Sequence, residues 1–398
     1  MDNESFDSNS RPLAHHESIG HDHVRGISRR SILKDAVGVL GASLLSSRLQ
    51  GDILPAPELA ESRSVSSPGA IQRGGKTPIA LMVDDGGPVD QMYYMHPGYE
   101  TPLVIPLEFC QRFAGILEKY EVHGKMTVLP MQSCLGRLDQ SLKMVPQKHL
   151  EAFLKIVRDR IATRLDITPE FLTHLYSWNL RATNFDLNQD AGYTHLFEDT
   201  WISAAPPAEV AEYFTLAFTI LKNVGINSTG MTSPWSAGED VESKYARAVS
   251  DAQWGSLGRA TTWYFLHDAE WGPPEQITIG YQTASPDRVV VSIPGNFPDI
   301  FWSMDVPLEQ RAKFVRDNID KLLSADGRTG RLRDLMESGH PLTLLTHWQS
   351  LWTQGTQLGL DGLSALLQRI QSVFGGSLEW VTCSEIAERY VSASRKSV

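Results

Sequence analysis

The chain has 398 residues, 41% hydrophobic and 21% charged, with 31 Gly and 22 Pro. This is ordinary globular composition, which excludes collagen-like, coiled-coil and low-complexity chains. Three Cys cannot staple a chain of this length, a formal charge of -11 opposes nucleic-acid wrapping, and no apolar run reaches the ~18 residues that span a bilayer. Two skews remain: none of the ten Trp precedes Trp178, and His15, His16, His21 and His23 crowd the N-terminus.

From the N-terminus, Ser28-Arg29-Arg30-Ser31-Ile32-Leu33-Lys34 precedes a weakly apolar stretch, Ala36 to Leu45. That stretch is too short to cross a membrane. The segment resembles a twin-arginine (Tat) export signal, with Ile32 where Phe is commonest. The resemblance implies contact with the Tat translocase during export and a periplasmic or extracellular protein. Residues 1–50 therefore read as the signal region. Residues 51–75, rich in Pro, Ser and Gly, read as a flexible linker. The early His cluster falls in the leader. The expected folded domain is 76–398.

Within that domain, Ile79 to Val83 predicts a buried strand ending at Asp84-Asp85-Gly86. Phe109, Phe113, Ile116, Leu117 and Tyr120 predict a helix. Lys125 to Met131 predicts a second strand, and Leu150, Phe153, Leu154, Val157 and Ile161 a second helix. Phe171 to Tyr176 reads as a third strand. A helix around Val210 to Leu221 follows. Further strands are expected near 228–232, 261–266, 288–293, 341–346 and 378–382. Helices are expected near 239–252, 307–324, 361–374 and 384–392. Stretches 179–205 and 267–287 read as irregular insertions. Strands alternating with helices imply parallel βαβ units. Their number favours an α/β fold closed as a distorted (β/α)7-type barrel of parallel strands.

In such barrels the chemistry sits at the C-terminal strand ends. There the sequence places Asp84-Asp85, His174 with Ser177-Trp178, Ser233-Pro234-Trp235, and Leu345-Thr346-His347-Trp348. Two adjacent carboxylates at a buried strand end are costly unless they meet a cation. Trp178, Trp235 and Trp348 each follow a motif position, and indole faces stack on sugar rings. The same positions suit plain hydrophobic capping. His96 lies on the loop after the first strand, where it is placed to close a site.

These residues, in this order, resemble the polysaccharide deacetylase (NodB-homology) superfamily, over roughly 78–392. The resemblance implies a hydrolase that removes acyl groups from a saccharide, cleaving a C–N or ester bond. It implies Asp84 as general base, His347 as general acid, and Leu345 beside the acyl methyl. It also implies a divalent metal (zinc or similar) on Asp85, His174 and a second His. Trp178 stands where that second His is expected, and an indole offers no lone pair. Asn179, Asp186, Asp190 and His195 are candidate replacements, with His195 the best chemically. Thr232 stands where the family has an Arg that orients the base. An acidic/Trp motif is echoed only by Trp263, Asp268, Glu270 and Trp271. A second reading follows from these departures: a barrel that binds carbohydrate without turnover.

Overall fold

The computed structural model describes residues 75–92, 104–182 and 192–396. The Tat-like segment, nearly all of the linker, His96, Asp186 and Asp190 lie outside them. In chain order the strands are β1 (Thr77–Asp84), β2 (Gly124–Thr127), β3 (Gly136–Arg137), β4 (Ser141–Leu142) and β5 (Leu165–Thr168). They continue as β6 (Tyr176–Trp178), β7 (Tyr193–Phe197), β8 (Gly230–Thr232), β9 (Thr261–Phe265) and β10 (Thr278–Ala284). The last are β11 (Asp287–Ser292), β12 (Leu342–His347) and β13 (Leu378–Trp380).

β12, β1, β2 and β5 pair parallel, as do β8, β9 and β11. A single parallel bridge, Glu170 to Thr232, joins β5 to β8. Between β11 and β12 the seam is closed by Thr343 Oγ1, which donates to Pro294 O (2.7 Å) and accepts from Asn296 N (3.1 Å), and by Asn296 Nδ2, which donates to Pro341 O (3.4 Å). The parallel strands therefore follow one another around a barrel in chain order, with β12 returning to β1. This is the distorted barrel expected from the alternation of elements. Helices such as Leu107–Lys119, Pro207–Asn223 and Leu358–Phe374 fill the connections.

Alternation along each strand sorts the side chains. Ile79, Leu81 and Val83 join the large core shared with helix residues Phe113 and Leu117. Ala80 and Met82 point to the other face, with Trp263, Phe265, Val289, Val291 and Leu345. That inner face is apolar low in the barrel and polar at its mouth, where Asp84, Lys125, Thr168, Thr232 and His347 continue the same alternation. The helix Cys383–Lys396 packs on the inner cluster, and Asp166 of β5 accepts from Ser384 N (2.6 Å) and Ser384 Oγ (2.9 Å). Burial pushes Asp166 up to about 6, against those bonds.

Two expectations need correction. The third strand is Leu165–Thr168, and Phe171 to Tyr176 is not a strand. Phe171 and His174 have φ of 48° and 54°, outside the β region. Its apolar residues mimic a strand because they plug the core. The described parts of the insertions also carry regular structure. They carry the β6–β7 hairpin, the helix Glu198–Ala204 and strand β10. Cys110, Cys134 and Cys383 form no disulfide. Among the described residues no helix is long and apolar enough to cross a membrane.

β1 and β2 approach closely because Gly124 has no side chain. A Cβ there would lie 1.9 Å from Leu81 O. Gly124→Ala should therefore cost about 3 kcal/mol or more by overpacking. The check is the urea midpoint, which should fall with an unchanged slope.

Candidate active site

Five strand ends bring the polar groups together. Asp84 closes β1 and faces His347 in register on β12. Asp85 follows in the left-handed region, with φ of 62°. That turn lets consecutive carboxylates serve different partners. The Asp84 Oδ1 atom pairs with Lys125 Nζ of β2, and both side chains are buried. Asp85 Oδ2 accepts from Gln349 Nε2 at 2.7 Å.

Glu170 stands two residues beyond β5. Its Oε2 accepts from Asp85 N (3.0 Å) and Thr127 Oγ1 (3.1 Å). Four residues later, His174 directs Nε2 at Asp85 Oδ1 (3.1 Å) and Glu170 Oε1 (3.3 Å). The Gln91 amide contacts its Nδ1 and donates to its carbonyl at 3.0 Å.

Glu198 fixes the His174 loop from beneath. Its carboxylate accepts from Leu172 N (3.0 Å), Thr173 N (3.0 Å) and His174 N (2.8 Å). Tyr213 Oη donates to the same group at 2.7 Å. Three consecutive N–H groups aimed at one carboxylate hold His174 in its positive-φ conformation. Burial raises Glu198 to about 7 despite these bonds.

Asp85, Glu170 and His174 form a compact donor set, with all three ligand atoms within 4.8 Å of one another. Burial, then the Asp85 charge, raises Glu170 to about 7. Burial alone would lower His174, but Asp85 and Glu170 outweigh it and raise the imidazole to about 9. The two carboxylates thus draw positive charge, as a proton or as a metal ion. Two carboxylates and one imidazole suit zinc and similar divalent ions. Ligands ~2.0–2.1 Å from a tetrahedral ion stand about 3.3 Å apart. The 3.1 and 3.3 Å separations at Nε2 fit that edge.

Across the mouth, His347 Nδ1 lies 2.7 Å from Asp299 Oδ2. The same oxygen accepts from Ser350 Oγ (2.5 Å) and His347 N (3.1 Å). The Nδ1–H therefore faces Asp299. Trp302 packs edge-on, 5.5 Å from the imidazole.

The geometry gathers Asp84, Asp85, His174 and His347, and adds four residues that sequence reading missed. Glu170 supplies the third donor, so Trp178 does not stand in a ligand's place. Trp178 is instead 7% exposed, packed on Tyr193 and against Gly192, with its backbone N–H donating to Tyr213 Oη. The available signal was the spacing Glu170-x-x-x-His174, the same as His-x-x-x-His. Lys125 was legible as a lone charge in an apolar strand. Asp299 and Glu198 had no local signal.

Trp348 was expected at the cleft but packs in the core. It is 1% exposed, edge-on to Phe109 and Phe113, with Nε1 donating to Gly87 O. Trp235 does lie beside the site, its ring 4.2 Å from that of His174. Leu345 joins the inner barrel cluster. His195 belongs to β7, with its side chain outside the described residues. Of the echoed acidic/Trp motif, Trp263 lies inside the barrel, whereas Trp271 is exposed. The acid that holds His347 is Asp299.

No protein-family model matches the chain, and no curated protein matches it. Solved structures do align with it. A Mycobacterium smegmatis protein assigned as a polysaccharide deacetylase aligns at 14% identity and TM-score 0.47, over 85% of this chain and 96% of its own. A family 4 carbohydrate esterase from Streptomyces lividans, in complex with acetate, aligns at 9% and 0.35, over 74% and 88%. A family 4 pseudoenzyme from Bacillus anthracis aligns at 10% and 0.35, over 79% and 66%. Likeness at this level assigns no activity.

Two outcomes follow for metal uptake. Binding must displace protons from the ligands. With His174 near 9 and Glu170 near 7, zinc should release about one proton per ion at pH 8 and about two at pH 6. Affinity should therefore rise with pH across this range, as calorimetry in buffers of different ionisation enthalpy would read. Glu198→Gln replaces an acceptor by a donor under the His174 loop. It should weaken zinc binding about 10–100-fold, the usual cost of losing an outer-shell partner, with little change in circular dichroism.

Proposed function

We propose that the chain is an exported, deacetylase-like hydrolase that removes acyl groups from a saccharide with the help of a divalent metal. The observation that carries this reading is the opposition of two built groups at one barrel mouth. Asp84 with Asp85, Glu170 and His174 stands on one side, and His347 with Asp299 on the other. Export is supported by Ser28 to Lys34.

Asp85, Glu170 and His174 would hold the ion. When bound, it supplies Lewis acidity toward the acyl carbonyl and toward water. The remaining work falls to the chain's own side chains. Asp84 accepts the proton of the attacking water at Oδ2, because Oδ1 is engaged by Lys125. Water oxygen bonds to the acyl carbon as the bond to the sugar nitrogen or oxygen breaks. His347 gives the departing atom a proton from Nε2, and Asp299 steadies the charge the ring carries as donor. Trp235 offers a ring face for the saccharide. The inner-face position of Leu345 suits contact with a small acyl group.

The alternative, a carbohydrate-binding barrel without turnover, was motivated chiefly by a missing ligand. Glu170 offers a donor in answer to Trp178, while Thr232 in the place of the family's Arg still speaks for the binding reading.

The test is acetate release from N,N′,N″-triacetylchitotriose and from acetylated xylan by protein reconstituted with zinc or cobalt. Asp84→Asn should lower kcat about 100-fold or more, the usual contribution of a general base. Glu170→Ala should lose both metal and activity. Saccharide binding with no acetate release under any metal would replace hydrolysis by the binding reading.

A further inference from the structure

The cation beside Asp84 comes from a neighbouring strand. Lys125 is wholly buried. Its ammonium meets Asp84 Oδ1, donates to Thr232 Oγ1 at 3.1 Å, and stands 4.6 Å from the face of Phe265. Thr232 Oγ1 in turn lies 3.0 Å from Thr168 Oγ1. Side chains from β1, β2, β5, β8 and β9 thus fix one Nζ atom. The carboxylate in register with Lys125 on β5 is Asp166, and that group is taken by Ser384.

A buried ammonium is a poor stabiliser. Replacing both members of a buried ion pair by apolar residues of similar volume is often neutral or stabilising. Apolar neighbours are at hand, since Met82, Trp263 and Phe265 line the same face. The charge therefore points to a use at Asp84. Thr232, where an Arg is expected from the resemblance above, is the residue that holds Nζ in place.

We propose that Lys125 is the positioning residue for Asp84. It holds Oδ1 and offsets the carboxylate's charge, so that Oδ2 is presented to the attacking water. This rests on the hydrolase reading. The protons move elsewhere: water gives one to Asp84, and His347 gives one to the leaving group.

The test is steady-state acetate release from triacetylchitotriose by the zinc-loaded protein, comparing Lys125→Met, Asp84→Asn and the double variant. Lys125→Met should lower kcat about 100-fold, with KM within about two-fold and zinc content unchanged. If Lys125 acts only through Asp84, the double variant should be no slower than Asp84→Asn. The double variant buries a neutral pair, so this comparison stands even where Lys125→Met alone does not fold. A Lys125→Met kcat within about three-fold of wild type, or a further loss in the double variant, overturns the proposal. If Asp84→Asn is itself fully active, or the wild type releases no acetate, the hydrolase reading falls and this proposal with it. Loss at Asp84 with none at Lys125 sinks the proposal alone.

Discussion

The site depends on how buried negative charge is compensated. Asp84, Asp85, Glu170 and Glu198 are all buried around one barrel mouth. Lys125 and a protonated His174 offset only two of these four charges. Burial answers the remainder by raising Glu170 and Glu198 to about 7. A divalent ion between Asp85, Glu170 and His174 would relieve the same deficit without protonating a ligand. The charge shortage and the donor geometry point to the same place.

Compensation also explains the local backbone. Asp85, His174 and Trp235 all sit at positive φ around the mouth. Such conformations cost about 1–3 kcal/mol each and persist only where surroundings enforce them. For His174 the enforcing group is Glu198, through three consecutive N–H bonds. For Asp85 it is Glu170, which takes the Asp85 N–H on one carboxylate oxygen and faces His174 with the other. The same carboxylates therefore shape the chain and supply its charge.

Much of the barrel was legible because its signals are local. Ile79 to Asp84 and Leu342 to His347 are short apolar runs ending in polar residues, and both are strands. Most helices were equally plain from apolar spacing. The third strand was misread because Leu165–Thr168 is short and contains Asp166, whereas Phe171 and Leu172 are more apolar. That error moved the expected ligand spacing forward from Glu170 to Trp178. With β5 in its true place, Glu170 follows the strand end and His174 falls four residues later.

Composition and periodicity thus carried the α/β class, the parallel barrel and the placing of Asp84, Asp85 and His347 at strand ends, whereas His174 lies on the loop after β5. These properties depend on neighbours a few residues apart. The partners of those groups depend on convergence across the barrel. Lys125 reaches Asp84 from 41 residues away, Asp299 reaches His347 from 48, and Gln349 reaches Asp85 from 264. Folding also decided which Trp meets the site. Trp235 and Trp348 follow similar strand ends, yet one lies beside His174 and the other is sealed among Phe109 and Phe113. Position along a strand sets which face a side chain takes. Only packing against distant segments sets what it touches there.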